Sequence, residues 1–232
     1  MPKIVVLTGA GISAESGLGT FRDNDGLWAR YRIEDVCTPE ALARNRALVI
    51  DFYNQRRRET LAAQPNAAHL ALKRLEEQFD VHIVTQNIDN LHERAGSQHI
   101  THLHGEITKL RSSRNELATV PLEGWEQPLD ARHPDGSLLR PFIVFFGESV
   151  PLLPRAIEEV EQADIFIVVG TSLAVYPAAS LVYYVRPSVP IYLVDPGNPD
   201  THAITNPFTH IRAAASVGVS QLVDELLQKH KS

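Results

Sequence analysis

Five short, unbroken apolar runs rich in β-branched residues punctuate the chain: "KIVVLT" from Lys3, "VHIVTQ" from Val81, "FIVFFG" from Phe142, "IFIVVG" from Ile165 and "IYLVD" from Ile191. A strand that is apolar at every position has both faces covered, as parallel strands flanked by helices do. Helical periodicity fills the gaps at Asn66 to Gln78, Pro151 to Gln162 and Pro177 to Arg186, and a closing helix is expected over Val219 to Lys229. The alternation predicts an α/β fold with a doubly wound parallel sheet. Two stretches break the rhythm. Residues 23–64 carry a loop and one or two helices, and Arg111 to Arg140 is polar, rich in Pro and Gly, and without a clear period. Both are expected to form a smaller inserted module, about 23–64 and 109–141, beside a core of about 1–22, 65–108 and 142–232, within one domain over 1–232.

With 232 residues, 44% of them hydrophobic, the chain can bury a substantial core. A net charge of -6 argues against nucleic acid or an anionic membrane as partner, because both reward clustered cations, and Arg56-Arg57-Arg58 is too short a run to change that. No apolar run is long enough to span a bilayer and no charged-then-apolar leader is visible, so the expected location is the cytoplasm, with a monomer favoured. A single cysteine, Cys37, excludes an intrachain disulfide and a cysteine-built zinc site.

The first apolar run leads into Gly9-Ala10-Gly11-Ile12-Ser13. After a strand, Gly9 and Gly11 permit a tight turn and close approach to a pyrophosphate, the signature of a Rossmann-like dinucleotide site, although Ala14 stands where the usual fingerprint has its third glycine. A plain strand-to-helix turn reads equally well from these residues alone. The acidic residue that normally holds the ribose some twenty positions on is replaced by the loop "GTFRDNDGLW".

Further motifs follow in order: Thr20-Phe21-Arg22, Thr85-Gln86-Asn87-Ile88-Asp89, His102-Leu103-His104-Gly105-Glu106, Phe146-Gly147-Glu148 and Gly170-Thr171-Ser172. Together with the glycine loop they resemble the sirtuins, NAD-dependent protein lysine deacylases, from Lys3 to about Leu227. The resemblance implies that NAD is a co-substrate, cleaved rather than reduced, and that acylated lysines of proteins are the partners. It implies Phe21 as an apolar cover over the reactive ribose carbon, Arg22 as support for the phosphates or loop, and Trp28 as a further NAD contact. Gln86 falls on the ribose, while Asn87, Ile88 and Asp89 organise the ribose and nicotinamide ends. From the residues alone, Asp89 could equally cap the helix "DNLHERAG".

His104 is the general base that the match implies, an imidazole whose unperturbed pKa of about 6.5 leaves it neutral near pH 7. His102 opens a metal alternative with His92 or His99, weakened by the lack of acidic residues at recognised ligand spacing. Gly170, Thr171 and Ser172 are expected on a phosphate or ribose, or as an ordinary helix cap. Asp195 stands where the family has an asparagine on the adenosine ribose, and Ala215 where it has a small residue against adenine.

Tyr53 and Arg56 lie three apart and share a helix face. In the subclass containing the bacterial CobB enzymes and the mitochondrial desuccinylase, such a pair lies in the acyl pocket, which implies succinyl, malonyl or glutaryl lysine beside acetyl-lysine. A solvated helix face is the plainer reading of the spacing. The peptide is expected to add as a strand near Gly147, Glu148 and Leu173 to Tyr176, with Val175 among its contacts. Most sirtuins hold zinc between two cysteine pairs. Here Ser112 stands near the first and 111–140 has no thiol, so a zinc-free module is expected, packed by Leu117, Val120, Leu122, Trp125, Leu129 and Leu138, with His133 insufficient to bind zinc by itself. An NAD glycohydrolase or ADP-ribosyltransferase, or a non-catalytic NAD-binding module, are the rival readings.

Overall fold

The computed structural model describes residues 1–19 and 31–231. Its strands are β1 (Lys3–Thr8), β2 (Asp80–Thr85), β3 (Ile100–His102), β4 (Gly105–Ser112), β5 (Thr119–Pro121), β6 (Leu139–Ile143), β7 (Ile165–Val169), β8 (Ile191–Val194) and β9 (Phe208–Ile211). Its helices are α1 (Gly11–Ala14), α2 (Ile33–Val36), α3 (Pro39–Arg44), α4 (Arg46–Ala62), α5 (Ala67–Leu75), α6 (Leu91–Arg94), α7 (Leu153–Glu161) and α8 (Ala215–Lys231), with a 3-10 helix over Ala178–Tyr184.

Six strands form the main sheet in the order β3-β2-β1-β7-β8-β9, and all of its pairings are parallel. Side chains of β1 alternate between two apolar layers. Ile4 and Val6 meet Leu72 and Leu75 of α5 and Val219 and Leu222 of α8, while Val5 and Leu7 meet Val160 of α7 and Leu181 and Val182 of the 3-10 helix. Both faces are therefore filled, which is why the strand reads as a continuous apolar run.

Two caps tie this core to the glycine loop. The Asn66 carboxamide accepts from the Ala68 amide at 2.9 Å, opening α5, and donates to the Ile12 carbonyl at 2.8 Å. Glu15 accepts from the Ser216 amide and hydroxyl at 2.8 and 2.6 Å in the first turn of α8.

The second sheet is antiparallel, in the order β5-β4-β6. It corrects one expectation: the run "FIVFFG" is no parallel strand of the main sheet. The strand starts earlier, at Leu139, and pairs antiparallel with β4. Ile143 and Phe145 point inward to Val36, Phe52 and Tyr53, while Phe142 and Val144 are half-exposed. Because the outward positions are also apolar, the alternation typical of a one-sided sheet is hidden.

A second correction concerns the module's interior. Leu117 and Leu129 are exposed, and Val120, Leu122, Trp125 and Leu138 are only half-buried, so the expected apolar cluster does not form. Polar side chains of α4 hold this region instead. Arg57, fully buried, donates to the carbonyls of Ile107 and Trp125 at 2.7 Å each and to Asn54 Oδ1 at 2.8 Å. Asn54 in turn exchanges hydrogen bonds with the backbone of Gln127, whose side chain donates to the Leu139 carbonyl at 2.9 Å.

Smaller differences remain. The expected helix after Pro177 is a 3-10 helix, α8 begins at Ala215 rather than Val219, and the short strands β3 and β9 extend the sheet at both edges.

Candidate active site

The sheet order reverses between β1 and β7, so the loops leaving their carboxyl ends face each other across the crevice where open α/β sheets hold ligands. Contact between these loops is extreme. A Cβ on Gly11 would lie 2.6 Å from Gly170 Cα, and one on Gly170, which has φ +60°, would lie 2.5 Å from the Ile12 amide nitrogen. The amides of Gly9, Gly11, Ile12 and Ser13 donate to the carbonyls of Val169, Gly170, Gly9 and Ala10. Here the glycines first serve to interlock two loops, and these four amides are turned to the protein.

Next to them lies the loop after β2. Asn87 donates from its carboxamide to the Gly9 carbonyl at 3.0 Å and to Ser13 Oγ at 3.2 Å. Asp89 accepts from Ser13 Oγ at 2.9 Å and from the Leu91 amide at 3.1 Å. It therefore helps open α6, as one of its two readings has it, and also holds Ser13. Burial pushes the Asp89 carboxyl above its ordinary range, against the lowering effect of those two hydrogen bonds. Gln86 donates to Thr171 Oγ1 at 3.1 Å, linking the β2 loop to the β7 loop.

His104 follows β3, and its Nδ1 lies 3.0 Å from the Gln86 carbonyl oxygen. A carbonyl only accepts, so Nδ1 carries the proton and Nε2 keeps its lone pair. Burial lowers the pKa of this imidazole, outweighing the bond to Gln86, so the ring is neutral at pH 7. His102 Nδ1 grips the next carbonyl, that of Asn87, at 3.0 Å. Neither histidine proposed as its companion turns to it: His92 pairs with Thr8 Oγ1 at 3.1 Å, and the His99 ring lies against His82. The acidic groups that gather around His102 are Glu93 and Glu106.

At the far end, Ser172 is half-buried, Asp195 accepts from the Gly197 amide at 2.8 Å, and Ala215 is buried at the start of α8. Phe21, Arg22 and Trp28 lie outside the described residues.

Tyr53 and Arg56 stand on α4 beneath the antiparallel sheet and are both buried. The Tyr53 hydroxyl lies 3.4 Å from Cys37 Sγ, and its ring stacks on Phe145 at 5.7 Å between centroids. Burial and the neighbouring thiol push the Tyr53 pKa well above its ordinary value, and burial lifts Cys37 to about 11. Both groups are therefore neutral at pH 7. Arg56 makes a 3.0 Å ion pair with Glu59, and its charge acts on Tyr53 and Cys37. Cys37 and Phe145 escaped the reading of the sequence, since nothing in their spacing links them to α4.

Glu148 accepts from Arg140 at 2.6 and 3.1 Å and from the Phe145 amide at 2.8 Å, so its carboxylate fixes the turn carrying Gly147, which has φ +88°. Val175 is exposed on the loop before the 3-10 helix.

Near the place of the first zinc cysteine, Ser112 Oγ donates to Asp135 Oδ2 at 2.6 Å, lies 2.9 Å from Ser137 Oγ, and accepts from the amides of Arg114 and Asn115 at 3.0 and 3.1 Å. The donors there are hydroxyls and one carboxylate engaged with one another, a set that does not suit a tetrahedral thiolate zinc site.

Interlocked glycine loops and a neutral histidine beside an Asn-x-Asp loop thus meet in one crevice, the motif set of the sirtuins. The profile of the Sir2 family matches residues 9–177, and the chain belongs to that family. It is 51% identical to an NAD-dependent protein deacylase of Bacteroides thetaiotaomicron, over 98% of this chain and 99% of that one. It is 58% identical to an NAD-dependent protein deacylase of Aggregatibacter actinomycetemcomitans, over 86% and 95%. Among solved structures, a Sir2 homologue–NAD complex superposes with a TM-score of 0.88 at 40% identity, covering 98% of this chain and 90% of the other.

Proposed function

We propose that the chain is an NAD-dependent protein lysine deacylase that removes succinyl and malonyl groups, and acetyl groups as well, from lysine side chains. The observation that carries this reading is His104: half-buried, neutral, protonated on Nδ1 by its bond to Gln86, and offering Nε2 as a base. In this reading NAD supplies the ribose carbon that receives the acyl oxygen, with nicotinamide as the leaving group. His104 takes the proton of a ribose hydroxyl. Asn87 and Asp89, already braced by Ser13, orient the nicotinamide half, and Gly9 to Ser13, Gln86, Ile88, Gly170 to Ser172, Asp195 and Ala215 line the rest of the nucleotide site. Phe21, Arg22 and Trp28 complete it. The acylated lysine enters between Gly147-Glu148 and the loop bearing Val175.

Tyr53 and Arg56 read the acyl end. A buried guanidinium beside a neutral phenol suits a terminal carboxylate, which takes two bonds from the fork and one from the hydroxyl. The polar knot at Ser112 supports a module built without zinc.

The test is mass spectrometry of protein incubated with NAD and matched acetyl-lysine and succinyl-lysine peptides. Acyl-ADP-ribose should form from both and vanish in His104→Ala. Arg56→Met should lose desuccinylation and keep deacetylation. NAD loss without peptide conversion would favour the glycohydrolase or transferase, and no turnover at all a binding module.

A further inference from the structure

His102 stands at the end of β3 with acceptors on both ring nitrogens. Nδ1 faces the Asn87 carbonyl at 3.0 Å and Nε2 faces Glu93 Oε1 at 2.6 Å. A neutral imidazole has one donor nitrogen, and the Asn87 carbonyl claims it, so the short contact to Glu93 needs a second proton. The pair is an imidazolium and a carboxylate sharing that proton. His102 is buried while the Glu93 side chain is 39% exposed, so the charge pair reaches water through Glu93 alone.

The position of the pair matters more than its strength. Asn87 and Glu93 bound a short segment that includes Asp89 and the start of α6, and His102 pins both of its ends from a different strand. Within that segment the side chains of Asn87 and Asp89 meet Ser13 and Gly9. We propose that His102, held as an imidazolium by Glu93, is a positioning residue that braces the segment from Asn87 to Glu93 and so sets Asn87 and Asp89 for NAD. The inference rests on the reading of those two residues as NAD contacts.

The surrounding charges fit. Burial works to lower the His102 pKa but is outweighed by the bond and charge of Glu93, with Glu106 of β4 adding to them, so the net direction is upward. Glu93 is lowered despite burial by the bond and charge of His102, with Lys109 contributing. Asp89 also feels the His102 charge, and His92 on α6 is pushed down partly by it. Lys109 is held by Glu106 at 2.8 Å, which keeps the Glu106 carboxylate occupied.

The experiment combines nitrogen-15 imidazole NMR with steady-state kinetics of nicotinamide release. At pH 7 His102 should show two protonated ring nitrogens, and in Glu93→Gln it should lose one of them at lower pH than in the parent. His102→Asn places an amide where Nδ1 stands and keeps the grip on Asn87, whereas His102→Gln reaches Glu93 and releases Asn87. The second should raise KM for NAD roughly tenfold or more, the loss of one charge-assisted bond, with KM for the acyl peptide unchanged. The first gives up only the Glu93 end of the brace and should raise KM for NAD by less, about threefold.

A singly protonated His102 at pH 7, or equal KM changes in the two His102 variants, would overturn the proposal. Should neither fold, Glu93→Gln alone decides, because its His102 titration must shift and its alkaline loss of kcat/KM for NAD must begin at lower pH. A parent protein without NAD turnover would fail the deacylase reading while leaving the NMR test of the proton pair intact.

Discussion

Arg57 offers the sharpest test of how the small module is held. Its guanidinium is fully buried, and among the described residues no carboxylate lies within ion-pair distance of it. Burial lowers its pKa to about 10, so it remains a cation at pH 7 whose charge meets, among the described residues, the carbonyls of Ile107 and Trp125 and the Asn54 side chain. Replacing it with methionine fills similar space but strands two carbonyls, each costing about 1–3 kcal/mol when buried without a partner. Removing a poorly solvated cation returns part of that cost. The net loss should be about 3 kcal/mol, which for a chain of this size lowers Tm by roughly 6–12 °C.

Urea titration and calorimetry would read the change. Arg57→Lys keeps the charge but not the planar fork, and it should lose nearly as much. Arg58→Ala, which removes a guanidinium stacked 3.9 Å over the Trp125 ring, should cost only about 0.5–1 kcal/mol. If Arg57→Met were as stable as the parent, burying the cation would cost as much as its three bonds return, and a polar interior would not be what holds the module.

Gly170→Ala should abolish NAD binding in calorimetric titration and lower Tm, since its Cβ would press on the backbone of Gly11 and Ile12 and its φ is +60°. A chelator should leave the Tm of the parent unchanged, while Ser112→Ala should lower stability by about 2 kcal/mol by removing one hydroxyl that serves four partners. Stability should fall as pH drops from about 6.5 towards 4, because burial lowers His69 to about 4 and the unfolded chain takes up its proton first. His92 and His104 shift in the same direction. Urea midpoints across that range should flatten in His69→Gln.

The main sheet was legible where burial on both faces leaves no outward position to be polar, as in β1. The same signal misplaced "FIVFFG", since a one-sided strand with apolar residues on both sides gives an identical string. The interior of the module was illegible for the opposite reason. Arg57, Asn54, Gln127 and Ser112 fill it, and hydropathy assigns such residues to the surface. Three consecutive arginines of one helix end in three environments: Arg56, itself buried, paired with the exposed Glu59; Arg57 among backbone carbonyls; Arg58 on an indole. Periodicity separates these faces of the helix but says nothing of what covers them. At the candidate site, motif order picked out the glycine loops, the loop after β2 and His104, and the fold brings these together. The partners of these groups came from distant strands, so the double grip on the carbonyls of Gln86 and Asn87, and the packing of Gly11 on Gly170, had no sequence signal.

The interlock of Gly11 with Gly170 also bears on when the site comes into being. The ribosome delivers the glycine loop well before β7, yet the surface that shapes it arrives only with that strand, after both excursions have been made. A nascent chain ending before Gly170 therefore presents the motif without the crevice. Dinucleotide cannot rescue such a fragment by mass action, because a ligand stabilises only the state that already has its site. In the cell, NAD would protect finished molecules and leave truncated ones to proteolysis.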